Sequence, residues 1–119
     1  MSKLKSEQIA NASDIQSEIV FIPEWGGEVI VRGLTGTARD QLEAEIVEIK
    51  GKRSKIHLEN IRAKLVQLSL VDEAGKLLFT EKDVAMLGTK SAVALDRIFS
   101  VAQRLSGLSD QDVEELAKN

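Results

Sequence analysis

Few residues in this sequence have the types and spacing to do chemistry. His57 is the only imidazole. It is the side chain whose ordinary charge change lies nearest neutral pH, and so the first candidate for acid–base work or metal binding. It stands one residue before Leu58, where a helix begins, and two after Lys55. The chain has no Cys, and a lone His cannot complete the usual zinc set. The residue reads as an exposed or half-buried His on a helix flank. Carboxylates are plentiful, but they share helix faces with Lys and Arg, where solvated ion pairs are the default. Asp96-Arg97 lies within the most apolar helical stretch and reads as a surface or interface ion pair. Catalysis needs a nucleophile, base or metal held together. No such set is legible, so neither an enzyme nor a cofactor is expected.

Two further motifs bear on anions and nucleic acid. Gly33-Leu34-Thr35-Gly36 has the Gly-x-x-Gly form of some RNA-binding loops and opens a helix. Arg32 and Arg39 are the only cations beside it. A strand-to-helix turn that needs glycine explains it better. The run from Lys50 to Lys55 is the one dense basic cluster and reads as a solvated loop. The stretch 80–99 imitates a helix-turn-helix, but its second helix carries only Arg97 and Arg104 as cations. A major-groove helix needs more phosphate and base contacts. Trp25 is different. It sits in a Pro-Glu-Trp-Gly-Gly turn, where Trp serves either as an interface anchor or as a lid folded onto the hairpin's own core.

Composition sets the frame. A chain of 119 residues makes one domain, and one of this size buries roughly two-thirds of its unfolded surface. The net charge of -3 gives no broad field for nucleic acid. The N-terminal run has no apolar core of a secretion signal, and no run approaches the roughly 20 apolar residues of a membrane span. Phe21, Trp25, Phe79 and Phe99 are the only aromatics, so the core must be aliphatic.

The elements follow from periodicity. Apolar runs at 19–22 and 29–31 flank the Gly26-Gly27 pair and predict a β-hairpin. With those glycines central, Ile22 would lie opposite Val31 and Glu24 opposite Val29. Val20, Ile22, Val29 and Val31 would share one face, and Ile19, Phe21, Trp25 and Ile30 the other. Pro23 lacks a donor, so its strand is at an edge or the turn is wider than two residues. Thr35 or Thr37 caps a first helix bearing Ala38, Leu42, Ile46 and Ile49, stopped at Gly51. Ser54 caps a second, whose stripe of Leu58, Ile61, Leu65 and Leu68, widened by Ala63 and Val66, packs on a helix of the same chain or of a partner. Asp72 to Gly75 is a turn, and residues 77–79 read as a strand beside the hairpin. Thr80 with Asp83 starts a short helix ending at Gly88. Ser91 or Thr89 opens an apolar helix lined by Ala94, Leu95, Ile98, Val101, Ala102 and Leu105, with Phe99 at its margin and Gly107 just past its end. Ser109 with Asp112 caps a last helix carrying Val113 and Leu116. The expectation is an α-rich α+β fold: an N-terminal hairpin followed by about five helices in a single domain over 18–119. Residues 1–17 form a flexible or loosely helical leader, or an arm that orders on a neighbouring subunit.

Two segments, IPEWGGEVIVRGLTGTARD and AKLVQLSLVDEAGKLLFTEKDVAMLGTKSAVALDRIFSVAQRLSGLS, resemble the tail assembly chaperones of long-tailed bacteriophages. The resemblance runs from Asp14 to the C-terminus. It is carried by the Pro-Glu-Trp-Gly-Gly turn, the Arg-Gly-Leu-Thr-Gly junction and the Ser-Leu-Val-Asp-Glu-Ala-Gly-Lys stretch. It implies a non-enzymatic protein of the infected host's cytoplasm, absent from the mature virion. Its partner would be the tape measure protein, a long apolar helical chain kept soluble until tube subunits polymerise around it. The family also tends to self-associate. Candidate interaction residues are Trp25, Leu58, Ile61, Leu65, Leu68 and Phe99. The alternatives are a small nucleic-acid-binding regulator, which salt-dependent binding would reveal, and a minor structural component of the tail.

Members of the family are often made in two lengths, the longer by a one-base ribosomal slip, so a frameshifted form of the chain is a further expected partner. Ala117-Lys118-Asn119 is compatible with GCA AAA AAC, where lysine and asparagine tRNAs can re-pair one base back. An ordinary polar chain end accounts for these residues equally well. Reading the gene decides. An A-rich run with an open overlapping frame should be accompanied by a minor longer product in mass spectra of induced cells. Codons such as GCG AAG AAC would remove slippage here.

Overall fold

A computed structural model of the chain describes residues 2–51, 58–109 and 111–112, with side chains described outside 45–51 and 58–60. The fold is α+β. Three antiparallel strands, β1 (Ser17–Ile22), β2 (Gly27–Arg32) and β3 (Leu70–Val71), form one sheet in the order β1-β2-β3. The helices are α1 (Ser6–Ala10), α2 (Gly36–Gly51), α3 (Leu58–Ser69), α4 (Val84–Leu87) and α5 (Ala92–Leu105). His57, Ser54, most of the basic cluster, Val113, Leu116 and the slip codons' residues 117–119 lie outside the described residues. The side chains of Leu58, Ile46 and Ile49 are likewise outside them.

The hairpin forms, but not through a two-residue Gly-Gly turn. Ile22 pairs with Gly27, and residues 23–25 make one turn of 3-10 helix. Gly26 closes it at φ 69°, donating its N–H to the Ile22 carbonyl at 3.0 Å. Pro23 is why the turn is wide. Its fixed φ suits the first position of a helical turn, where no N–H is needed. Glu24 and Trp25 therefore lie in the turn, off the sheet faces. The expected faces nevertheless survive. The partner of Ile22 moves four residues, from Val31 to Gly27, and an even shift leaves every side chain on its own side. Ile22 and Val31 are fully buried, with Val20 and Val29 packed beside them.

The third strand is not residues 77–79. It is Leu70–Val71, directly after α3, paired with Val31 and Ile30. Leu77 adds only a single bridge to Val71. Asp72 drives the reversal between them: its Oδ1 accepts the N–H groups of Ala74 and Lys76 at 2.8 and 3.0 Å, and Gly75 takes φ 84°. This side-chain-to-backbone pattern is the asparagine-type turn that Asp favours.

Caps set the helix ends. Thr35 opens α2, its Oγ1 accepting the Ala38 N–H at 3.0 Å, so Thr37 is not the cap. Thr80 and Asp83 form a capping box before α4. Ser91 caps α5 through the Ala94 N–H at 3.2 Å. At its far end Gly107 sits at φ 70°, with Leu108 N–H on Gln103 O and Gly107 N–H on Arg104 O. That pair of bonds is the Schellman motif, completed by burial of Leu108. Ser109 and Asp112 then exchange bonds of 2.9 and 3.0 Å. The Ser109 backbone N–H, and next its hydroxyl, hold the Asp112 carboxyl below the usual aspartate range.

The core lies between the sheet's inner face and the helices. α5 packs on β1, β2 and α3, while α3 also meets α2 and α4. From 61 to 71 every residue but Arg62 is buried, Lys64, Gln67 and Ser69 included. Gln67 Nε2 donates to the Phe79 carbonyl at 3.0 Å. Arg62 lies over the Phe99 ring at 5.9 Å and meets Asp96 at 2.8 Å. That approach is a charge contact and not a well-directed hydrogen bond.

The junction of β2 with α2 rests against the end of α5. A Cβ on Gly33 would stand 2.6 Å from the Leu105 carbonyl oxygen, while one on Gly36 would meet nothing. The Leu34 N–H donates to Ser106 Oγ at 2.9 Å across the same contact. Gly33→Ala should therefore lose roughly 1–3 kcal/mol of stability, because the obstructing atom is backbone. Gly36→Ala should stay within about 1 kcal/mol of the native chain or gain. Urea unfolding of the two variants checks this, and equal midpoints would contradict the close approach.

Candidate interaction surfaces

Among the described residues no cluster of three or more His, Cys, Asp or Glu could hold a metal. No described helix is long and apolar enough to cross a membrane. The Gly-x-x-Gly motif is accounted for by packing, since Gly33 is fixed against Leu105 and its N–H is bonded to the Gln16 carbonyl at 3.0 Å.

The candidate interaction residues separate into two groups. Ile61, Leu65 and Leu68 are core residues at 1–3% exposure. Of the two destinations offered by that helical stripe, another helix of the same chain is the one observed. Phe99, at 9% exposure, is covered by the Arg62 guanidinium. Trp25 is exposed, in the turn that caps the hairpin.

Trp25 belongs to a shoulder where the hairpin turn meets α5. Arg97 bridges the two elements, its Nε 3.3 Å from Glu24 Oε1. Glu24 precedes Trp25, and Val93, exposed at 55%, lies one helical turn before Arg97 on the same face of α5. The ion pair fixes the turn against the helix, with an exposed apolar residue to either side along the chain. A second ion pair, Arg104 with Glu18 at 2.7 Å, ties α5 to β1. Both pairs are exposed, and each contributes little to stability. Their effect is to orient the hairpin on α5.

The second surface was not picked out as a site by sequence pattern. The outer face of the sheet carries Ile19, Phe21 and Ile30, and Leu77 extends the row through its bridge to Val71. Ile19 and Phe21 are 64% and 58% exposed. A groove of about 340 Å³ crosses this face, lined by Ile19, Ile30, Val71 and Leu78 together with Glu28 and Glu73. Asp72 also lines it, but one carboxylate oxygen is engaged by its own turn. The alternation of Ile19, Phe21 and Ile30 against the buried set was the available signal. The outer face is thus an exposed apolar row with Glu28 and Arg32 beside it, more apolar than the solvated face of an antiparallel sheet usually is.

A family model described as phage tail assembly chaperone matches residues 3–119. The chain is also similar to a solved structure, that of the bacteriophage HK97 tail assembly chaperone. The two share 22% identity at a TM-score of 0.58, over 83% of this chain and 94% of the other. At that identity the likeness speaks for the fold. Among curated proteins no sequence matches.

Proposed function

The chain belongs to the phage tail assembly chaperone family, and on that premise we propose that it binds and solubilises the tape measure protein while tails assemble. The observation that carries this reading is the family match across nearly the whole chain. The physics supports it. A long helical protein waiting for its tube exposes apolar stripes that aggregate, and a partner that covers those stripes keeps it in solution. The shoulder around Trp25 and Val93 is suited to such a stripe: both side chains are exposed, and the adjoining ion pair supplies a polar rim. The protein works without catalysis or cofactor, self-associates, acts in the host cytoplasm and leaves before the virion is complete.

Co-expression with the large helix-rich protein encoded just downstream tests the reading. The soluble fraction of that partner should rise several-fold, and an unchanged fraction would overturn the proposal. Within the same assay, Trp25→Ala should weaken capture by about 30-fold, the equivalent of roughly 2 kcal/mol for an interface aromatic. Its urea midpoint should stay at the native value. A variant that unfolds early, with capture falling only in step, would place Trp25 in the fold and not in the interface.

A further inference from the structure

The leader and the outer sheet face are two unfinished surfaces with complementary chemistry. Every residue from 2 to 17 is exposed. Within that run α1 is five residues long, far below the roughly 12–15 at which an isolated helix becomes even marginal in water. Its start is nevertheless built: the Lys5 N–H donates to Gln8 Oε1 at 2.8 Å. With Lys5 at the N-cap, Leu4 and Ile9 occupy the two positions of a hydrophobic staple and stand on one side of the turn. They are 71% and 61% exposed. The staple therefore presents two apolar side chains to solvent, with Lys3 and Lys5 on the N-terminal side and Glu7 in the first turn.

The outer sheet face is the counterpart. Its groove is lined by apolar side chains and by the carboxylates of Glu28, Glu73 and the turn-bonded Asp72. The leader leaves β1 at the opposite end of the strand, where Ser17 pairs with Arg32, while Glu28 pairs with Phe21 near the hairpin turn. Arg32 itself is turned to the Gly75 carbonyl at 2.9 Å. The leader lies off its own sheet, since Ile19 and Phe21 are left exposed along with Leu4 and Ile9.

We propose that the leader of one copy docks across the outer sheet face of the next, with Leu4 and Ile9 on the apolar lining and Lys3 and Lys5 against Glu28 and Glu73. This rests on the self-association put forward above and names the surfaces that carry it. The contact is heterologous: each copy has one arm and one groove. Reciprocal exchange between two copies closes a dimer, and one-way repetition closes a larger ring or grows a filament.

Mixing two crippled variants tests it. Leu4→Asp/Ile9→Asp removes the arm, and Ile19→Asp spoils the groove at an exposed position. Each alone should run in light scattering at the 13.0 kDa chain mass, at tens of micromolar where the native chain is larger. Their mixture should give a species of two chains and nothing bigger, because only one arm and one groove remain. An arm variant that assembles like the native chain overturns the docking while leaving self-association standing. A mixture that stays monomeric also overturns it, and points to an arm folded on its own sheet. A native chain that is monomeric throughout overturns both, independently of whether it solubilises the tape measure protein. Charge exchange is the second arm of the test. Lys3→Glu/Lys5→Glu should weaken assembly about tenfold, and adding Glu28→Lys/Glu73→Lys in the same chain should restore it. Failure of the exchange to restore assembly would exclude this pairing of surfaces.

Discussion

The run from 61 to 71 passes through the middle of the molecule, and the rest of the fold depends on its burial. A helix buried on one side can be satisfied by one partner. This one is covered by α5, α4 and α2 and then passes without a loop into β3. Burial on all sides brings polar atoms inside, and each must find a partner or be left at a penalty of about 1–3 kcal/mol. Gln67 does so with its Nε2, which reaches the Phe79 carbonyl and fastens the segment after the β3 turn to the central helix, while its Oε1 and the Ser69 Oγ have no hydrogen-bond partner. Arg62, at the margin, is in charge contact with Asp96 on one side and lies over the Phe99 ring on the other. The same helix thus fixes α5, the return from β3 and the middle of the sheet.

The hairpin is held to this centre at two places of different character. Along its length Ile22, Val20, Val29 and Val31 bury their side chains against the core. At the base, Gly33 lets the backbone reach the Leu105 carbonyl, and Ser106 accepts the Leu34 N–H. The Schellman turn at Gly107 ends α5 just beyond that contact. A longer helix would run past the strand-to-helix junction. The caps are therefore part of the tertiary packing as well as of the helices they close.

What was legible in the sequence was local. Thr80 with Asp83, Ser91, Gly107 and Ser109 with Asp112 act through bonds to residues at most a few positions away, and the structure places each as the pattern indicates. The hairpin faces were legible because alternation is insensitive to an even register shift. What was not legible depends on distant partners. Leu70 and Val71 continue the apolar run of α3, and only pairing with Val31 and Ile30 makes them a strand. Leu77 and Leu78 look more strand-like alone, yet contribute one bridge. The stripe of Ile61, Leu65 and Leu68 could be read as a docking face, since periodicity gives no sign that the opposite side, with Lys64 and Gln67, is also buried. The outer sheet groove is not legible for a related reason: it joins residues of all three strands with the turn after β3, about forty positions beyond β2.

The placement of the aromatics follows from the same division. Aliphatic side chains fill this core, with Phe99 at its edge and Phe79 partly covered. Phe21 and Trp25 are outside it, on the edge strand and on the turn that follows. Each is covered only in part within one copy, Trp25 at 38% and Phe21 at 58% exposure, and an exposed apolar row on an edge strand invites unwanted pairing. The edge has few of the usual safeguards: Pro23 falls just past the strand, and Glu18 is engaged by Arg104. In a chain with so few aromatics, leaving two at the surface withholds from the monomer much of its largest apolar area. Such area yields free energy only when another surface covers it. The core closes without these two residues, so their exposed area is free to be covered by another surface without any rearrangement of the packing beneath.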